Sequence, residues 1–171
     1  ISGHRRKHAS ERLGLETLRC EVVEVSRDEA IILMVDSNSQ RSEIAPTDKG
    51  KAYKMKLEAI KRQQGERTDL TSAPLVQKLT SREKIAEKSG DSHEQVRRYI
   101  RLTELIPEIL QMVDDRQIAF RPAVEISYLT EEQQYTLLEA MSDNDATPSL
   151  AQAIKMKKFM QEGKQIGRAS C

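Results

Sequence analysis

At 171 residues the chain holds one ordinary domain or two small ones, which excludes a large enzyme. Only 37% of the residues are hydrophobic against 32% charged and 4% aromatic, a balance that suits an open helical architecture and excludes a thick single core. With 28 Lys and Arg against 27 Asp and Glu, the formal net charge of +1 gives no global attraction to polyanions, so nucleic-acid binding has to come from local basic surfaces. Cys20 and Cys171 match no metal-ligand spacing and read as free thiols of a reducing compartment, with the cytoplasm as the expected location. No apolar run approaches the roughly 18 residues of a membrane span, and no signal peptide is visible.

Ile1 stands where a native start carries Met, and Ser2-Gly3 reads as the end of a strand entering a helix, so further chain is expected upstream. Residues 4–12 form a basic helix that Gly14 closes. Residues 18–25 are rich in β-branched side chains and partly alternate, which predicts a strand. Ser26 and Glu29 make a capping box for a second helix whose apolar body is 30–35. Residues 36–45 are polar and aperiodic, hence a loop, and Pro46 opens a long helix to Gly65 with Ala52, Met55, Ala59 and Ile60 as its apolar stripe. Signals weaken over 66–79, where a domain boundary is expected. Capping boxes at Thr80 with Glu83, Ser92 with Gln95 and Thr130 with Gln133 mark a second half that is all helical. Pro107 and Pro122 fall in the first turns of two further helices, and a last helix over 148–162 precedes a tail expected to be disordered.

Residues 81–101 meet the needs of two helices crossing over a tight turn. Ala86 is small at the crossing, Gly90 permits a left-handed turn, and Ile85 with Val96 seals the core beneath, continued by Tyr99 and Ile100. At 3.6 residues per turn, Ser92, His93, Glu94, Gln95, Arg97, Arg98 and Arg101 gather at the start and on the outward face of the second helix, as a major-groove reader requires. The competing reading is a helical hairpin whose arginines form a solvated face.

Gly3-His4-Arg5-Arg6 puts a glycine and cations at a helix N-terminus, where free amides and the macrodipole favour an anion such as a phosphate. An ordinary basic surface fits the same residues. His4 and His8 share a face but lack the third ligand that zinc needs. Asn38-Ser39-Gln40-Arg41 is a polar loop that either serves a turn or folds back towards Arg5 and Arg6.

Gly3-His4-Arg5-Arg6 with Ala9 resembles the arginine-bearing box of the ParB partition proteins, and Asn38-x-Gln40-Arg41 resembles their second signature. A helix-turn-helix, Pro107 and an alanine-containing stretch over 119–129 follow in the same order, so the resemblance spans about residues 1–141. It implies a cytoplasmic, nucleoid-associated dimer that binds a centromere-like double-stranded DNA site, works with a partition ATPase, and uses CTP with Mg2+ to close as a clamp. In that scheme Gly3, Arg5 and Arg6 contact phosphates, Asn38 helps hold magnesium and Arg41 lies beside the nucleotide. His4 and Ser37 stand where the family has glutamates, the second linked to hydrolysis, so binding is expected over hydrolysis. Sulfiredoxin shares the nucleotide fold, but its catalytic cysteine belongs to the phosphate box, and Cys20 lies outside it.

The expected fold is mostly α with a small α/β N-terminal part. A truncated ParB/sulfiredoxin-like nucleotide domain over 1–65, incomplete at its start, precedes an all-helical helix-turn-helix domain over 66–141 and a C-terminal helix and tail over 142–171. The expected function is sequence-specific DNA binding in partition of a chromosome, plasmid or mobile element, with a CTP switch and at most weak CTP hydrolysis. A transcriptional regulator indifferent to nucleotides and a nucleotide-dependent enzyme or nuclease are the rival readings.

Overall fold

The computed structural model describes residues 3–39, 44–65 and 81–161. Over these it has nine helices: α1 (His4–Arg12), α2 (Arg27–Ser39), α3 (Pro46–Gly65), α4 (Ser81–Ser89), α5 (His93–Leu102), α6 (Pro107–Asp114), α7 (Phe120–Ile126), α8 (Glu131–Asn144) and α9 (Leu150–Gln161). The expectations for 66–79, for a cap at Thr80 and for the tail after 162 fall outside the described residues, as do Gln40 and Arg41.

Local chemistry accounts for most helix ends. Ser26 and Glu29 exchange side-chain and backbone hydrogen bonds ahead of α2, and Thr130 with Gln133 makes the full capping box of α8. Pro107 opens α6, where its missing N–H costs nothing. Gly14 takes a φ of +70° after α1.

Two expectations fail. The predicted strand over 18–25 is absent: the described residues contain no strand, and the small α/β part is not formed. β-branched residues favour extended backbone, but a ladder needs a second segment to take its N–H and C=O groups, and none is present among the described residues. Leu18, Val22, Val23 and Val25 are accordingly exposed. The loop expected from residue 36 starts later, because α2 continues through Ser39. There the Ser37 hydroxyl and the Asn38 amide both donate to the Met34 carbonyl, at 2.9 and 3.0 Å, inside the last turn.

Helix α3 is the axle of the molecule. Its Tyr53, Leu57 and Ile60 form one buried cluster with Ile85 of α4 and Val96 of α5. The packing therefore joins α3 to α4 and α5. Arg62 forks onto Asp28, with Nη2 2.7 Å from Oδ1, and buried Lys56 pairs with Asp36, so α2 is tied to α3 by two ion pairs. Hydrogen bonding from Arg62 holds the Asp28 carboxyl below its ordinary range. At the N-terminus of α3, buried Thr47 donates from its hydroxyl and its N–H to the Asp114 carboxylate of α6.

A second core unites the end of α5 with α6 to α9 through Leu102, Ile109, Val113, Ala123, Ile126, Leu137 and Ala153. Buried Gln134 organises it. Its Oε1 accepts from Ile106 N at 2.9 Å, and its Nε2 donates to the Glu104 and Leu129 carbonyls, both at 3.1 Å. That one side chain satisfies the N-cap amide of α6 and the ends of two turns. Tyr99 packs against both cores, edge-on to Tyr53 at 6.0 Å and tilted on Phe120 at 4.8 Å.

Gly50 is buried where α3 crosses α5, and a Cβ there would lie 2.4 Å from the Tyr99 carbonyl oxygen. That obstacle is backbone, so relief requires moving a helix. Gly50→Ala is expected to destabilise the fold even though alanine gains about 1 kcal/mol of helix propensity over glycine; urea denaturation giving equal or higher stability would remove this account of the crossing.

Candidate nucleic-acid interface

The two helices expected to cross over a turn do so. Gly90 takes a φ of +74° with nothing near its missing Cβ, so the glycine serves the backbone turn and not a close contact. Ser92 then caps α5, its Oγ accepting from Gln95 N at 3.1 Å. Beneath the turn Ile85 and Val96 are fully buried, as their spacing predicts, and Leu102 at the end of α5 is buried in the second core.

The opposite face is polar. Ser92, His93, Glu94 and Arg97 are exposed, and Gln95 and Arg98 are half-buried. Glu94 Oε1 lies 3.5 Å from Arg97 Nη1, an i,i+3 pair along the exposed ridge. Of the three arginines expected to face outward, Arg97 is exposed, Arg98 is half-buried, and Arg101 is engaged by the body of the domain. Arg101 is half-buried and turned to the body, where its Nη2 donates to the Ser127 carbonyl at 2.7 Å and its guanidinium stacks on Tyr128 at 4.3 Å. Ser127 is the C-cap of α7, a place where a cation is favoured. Lys157 of α9 covers Tyr128 at 3.8 Å and pairs with Glu125 at 2.8 Å. Arg101 therefore holds α5 to α7, which its 3.6-residue position alone did not reveal.

The turn is also fixed from α3, through residues that periodicity did not single out. Asp91 accepts from the Tyr53 hydroxyl at 2.5 Å and pairs with Lys49 at 2.7 Å. The Lys49 ammonium also lies 4.7 Å from the Tyr99 ring. One acid in the turn is thus bound to two side chains a helical turn apart on α3. The sequence carries one sign of this arrangement, a glycine inside α3 near its start, which marks a close backbone approach.

The residues expected to hold a nucleotide are less organised. Gly3 caps α1 with a φ of 92°, and Arg5 and Arg6 stand exposed on its first turn, an arrangement that fits an anion. No residue of α1 is buried. Asn38 is exposed on α2 with its amide given to Met34, and among the described residues no hydrogen bond or ion pair joins it to Gly3, Arg5 or Arg6. Arg41 lies outside the described residues. The described residues do not complete a nucleotide site. No described helix is long and apolar enough to cross a membrane.

The ParB HTH domain family matches residues 73–162. The chain is similar to a nucleoid occlusion protein of Listeria innocua serovar 6a, 28% identical over 145 residues that cover 84% of this chain and 45% of the relative. A nucleoid occlusion protein of Listeria monocytogenes serotype 4a is also 28% identical, over 84% of this chain and 44% of its own. The chain thus spans less than half the length of the curated relatives it matches.

Burial, and next the hydrogen bond to Asp91, push the Tyr53 hydroxyl above its ordinary value of 10.0. Its folded pKa is raised, so its contribution to stability is complete below the ordinary value and is lost as pH rises through the folded one. Thermal melts of the wild type are expected to fall through this alkaline range, and Tyr53→Phe, less stable at neutral pH, to fall less steeply there; parallel pH profiles would overturn the assignment.

Proposed function

Because the chain belongs to the ParB HTH domain family, we propose that it binds double-stranded DNA sequence-specifically, with α5 lying in the major groove. The observation that carries this reading is the exposed face of α5, where His93, Glu94 and Arg97 project from a helix clamped on its other side by α3, α4 and α7. Arg97 and Arg98 serve guanine edges or phosphates, for which the planar guanidinium fork is suited. Ser92 and Gln95, engaged in the cap, set the angle at which the helix starts.

At the cellular level the proposal is a cytoplasmic, nucleoid-associated protein acting in partition or positioning of a chromosome, plasmid or mobile element. It works as a homodimer on a roughly palindromic site, with a partition ATPase as partner. Its support is the family and the resemblance to nucleoid occlusion proteins. A CTP-dependent clamp with Mg2+ is the finer version of this proposal, supported by Gly3, Arg5 and Arg6 at the start of α1 and by the likeness of Asn38 and Arg41 to the second ParB signature. A regulator indifferent to nucleotides is the reading that replaces it if α1 binds none.

Sites selected from a randomised duplex pool, with and without CTP and Mg2+, give the sequence preference directly. Arg97→Ala and Arg98→Ala are each expected to weaken binding of the selected site by roughly 1–3 kcal/mol if the side chain reads a base, and to weaken all duplexes alike if it holds a phosphate. No change on any duplex would sink the reading of α5. In calorimetric titration with the four ribonucleoside triphosphates, Arg6→Ala is expected to abolish CTP binding and leave the first contact with a short duplex within about twofold, since α1 shares no core with α5; absence of CTP binding by the wild type would favour the regulator.

A further inference from the structure

The exposed ridge of α5 carries one carboxylate, Glu94, where a surface built only to hold DNA would carry none. Glu94 sits in the first turn of α5, at the end of the helix that starts the exposed face. Its partner Arg97 is the exposed arginine one turn along, with side-chain exposures of 50% and 51% and an N to O distance of 3.5 Å. An exposed pair of this kind adds little to folding. Its position on the face proposed to meet the groove gives it another use.

We infer that Glu94 is a specificity-determining residue: it withholds Arg97 from phosphates on arbitrary DNA, and releases it only where a cytosine amino group compensates the carboxylate. This inference rests on α5 being the reading helix. On a random duplex the intact pair meets the backbone as a net-neutral unit, so Arg97 displaces no counterion. At a site offering a cytosine N4 amino group to Glu94 and a guanine to Arg97, both members exchange their mutual contact for base contacts. The acid thereby weakens wrong complexes more than right ones, which is how discrimination is gained without added affinity.

Glu94→Gln removes the charge, keeps the side-chain shape and breaks no buried contact. Equilibrium binding is measured on the site selected by the wild type, on a random duplex, and on the selected site with each C·G pair replaced in turn, across a salt series. The random duplex is expected to bind more tightly, with a salt slope steeper by about one counterion, and the ratio of selected to random affinity to fall roughly tenfold. The replacement of one particular C·G pair is expected to cost the wild type affinity and the variant little. An unchanged ratio and slope in Glu94→Gln, with Arg97→Ala still weakening the selected site, overturns this inference and leaves α5 as the reader. If neither variant changes binding to any duplex, or the wild type selects no site, the reading of α5 fails and this inference with it.

Discussion

The structure depends on the crossing of α3 over α5, where Gly50 brings a helix backbone against the carbonyl of Tyr99. Interhelical distance is set by what lies at the contact, and a missing side chain allows an approach closer than leucine or alanine would. From that point other contacts extend in both directions along α3. Thr47 is held by Asp114 at one end, Lys49 and Tyr53 reach Asp91 in the turn, and Leu57 and Ile60 cover Ile85 and Val96. The orientation of α5 is therefore decided by a helix outside the helix-turn-helix itself.

Charge on α5 is divided by burial. Arg101 is consumed by Ser127 and Tyr128 and serves the body, whereas Arg97 keeps an exposed partner it can exchange. The same residue type has opposite uses a turn apart, because a half-buried guanidinium that loses its carbonyl acceptor has less water to replace it than an exposed one does. An inventory of arginines on a helical wheel treats these as equal.

Most helix starts were legible because they are written locally: Ser26 with Glu29, Ser92 with Gln95, Thr130 with Gln133 and Pro107 each act within one turn. The crossing turn was legible for the same reason, since Gly90 and the spacing of Ile85 and Val96 are short-range signals. What was not legible depends on distant partners. Gln134 reads as one more polar residue of α8 until Ile106, Glu104 and Leu129 surround it, and Asp91 reads as a turn residue until Lys49 and Tyr53 reach it from α3. The strand expected over 18–25 failed in the converse way, since its β-branched residues express a local preference but nothing among the described residues supplies a ladder.

The cluster under the helix-turn-helix also has a history in time. Tyr53, Leu57 and Ile60 belong to a segment synthesised before Ile85 and Val96, the residues that cover them. At a synthesis rate of about 5–20 residues per second, the apolar stripe of α3 stays uncovered for a few seconds while the intervening chain is made. During that interval α3 has α2 beside it but neither α4 nor α5, and the length of chain after Gly65 sets how long the nascent chain must be shielded from other apolar surfaces.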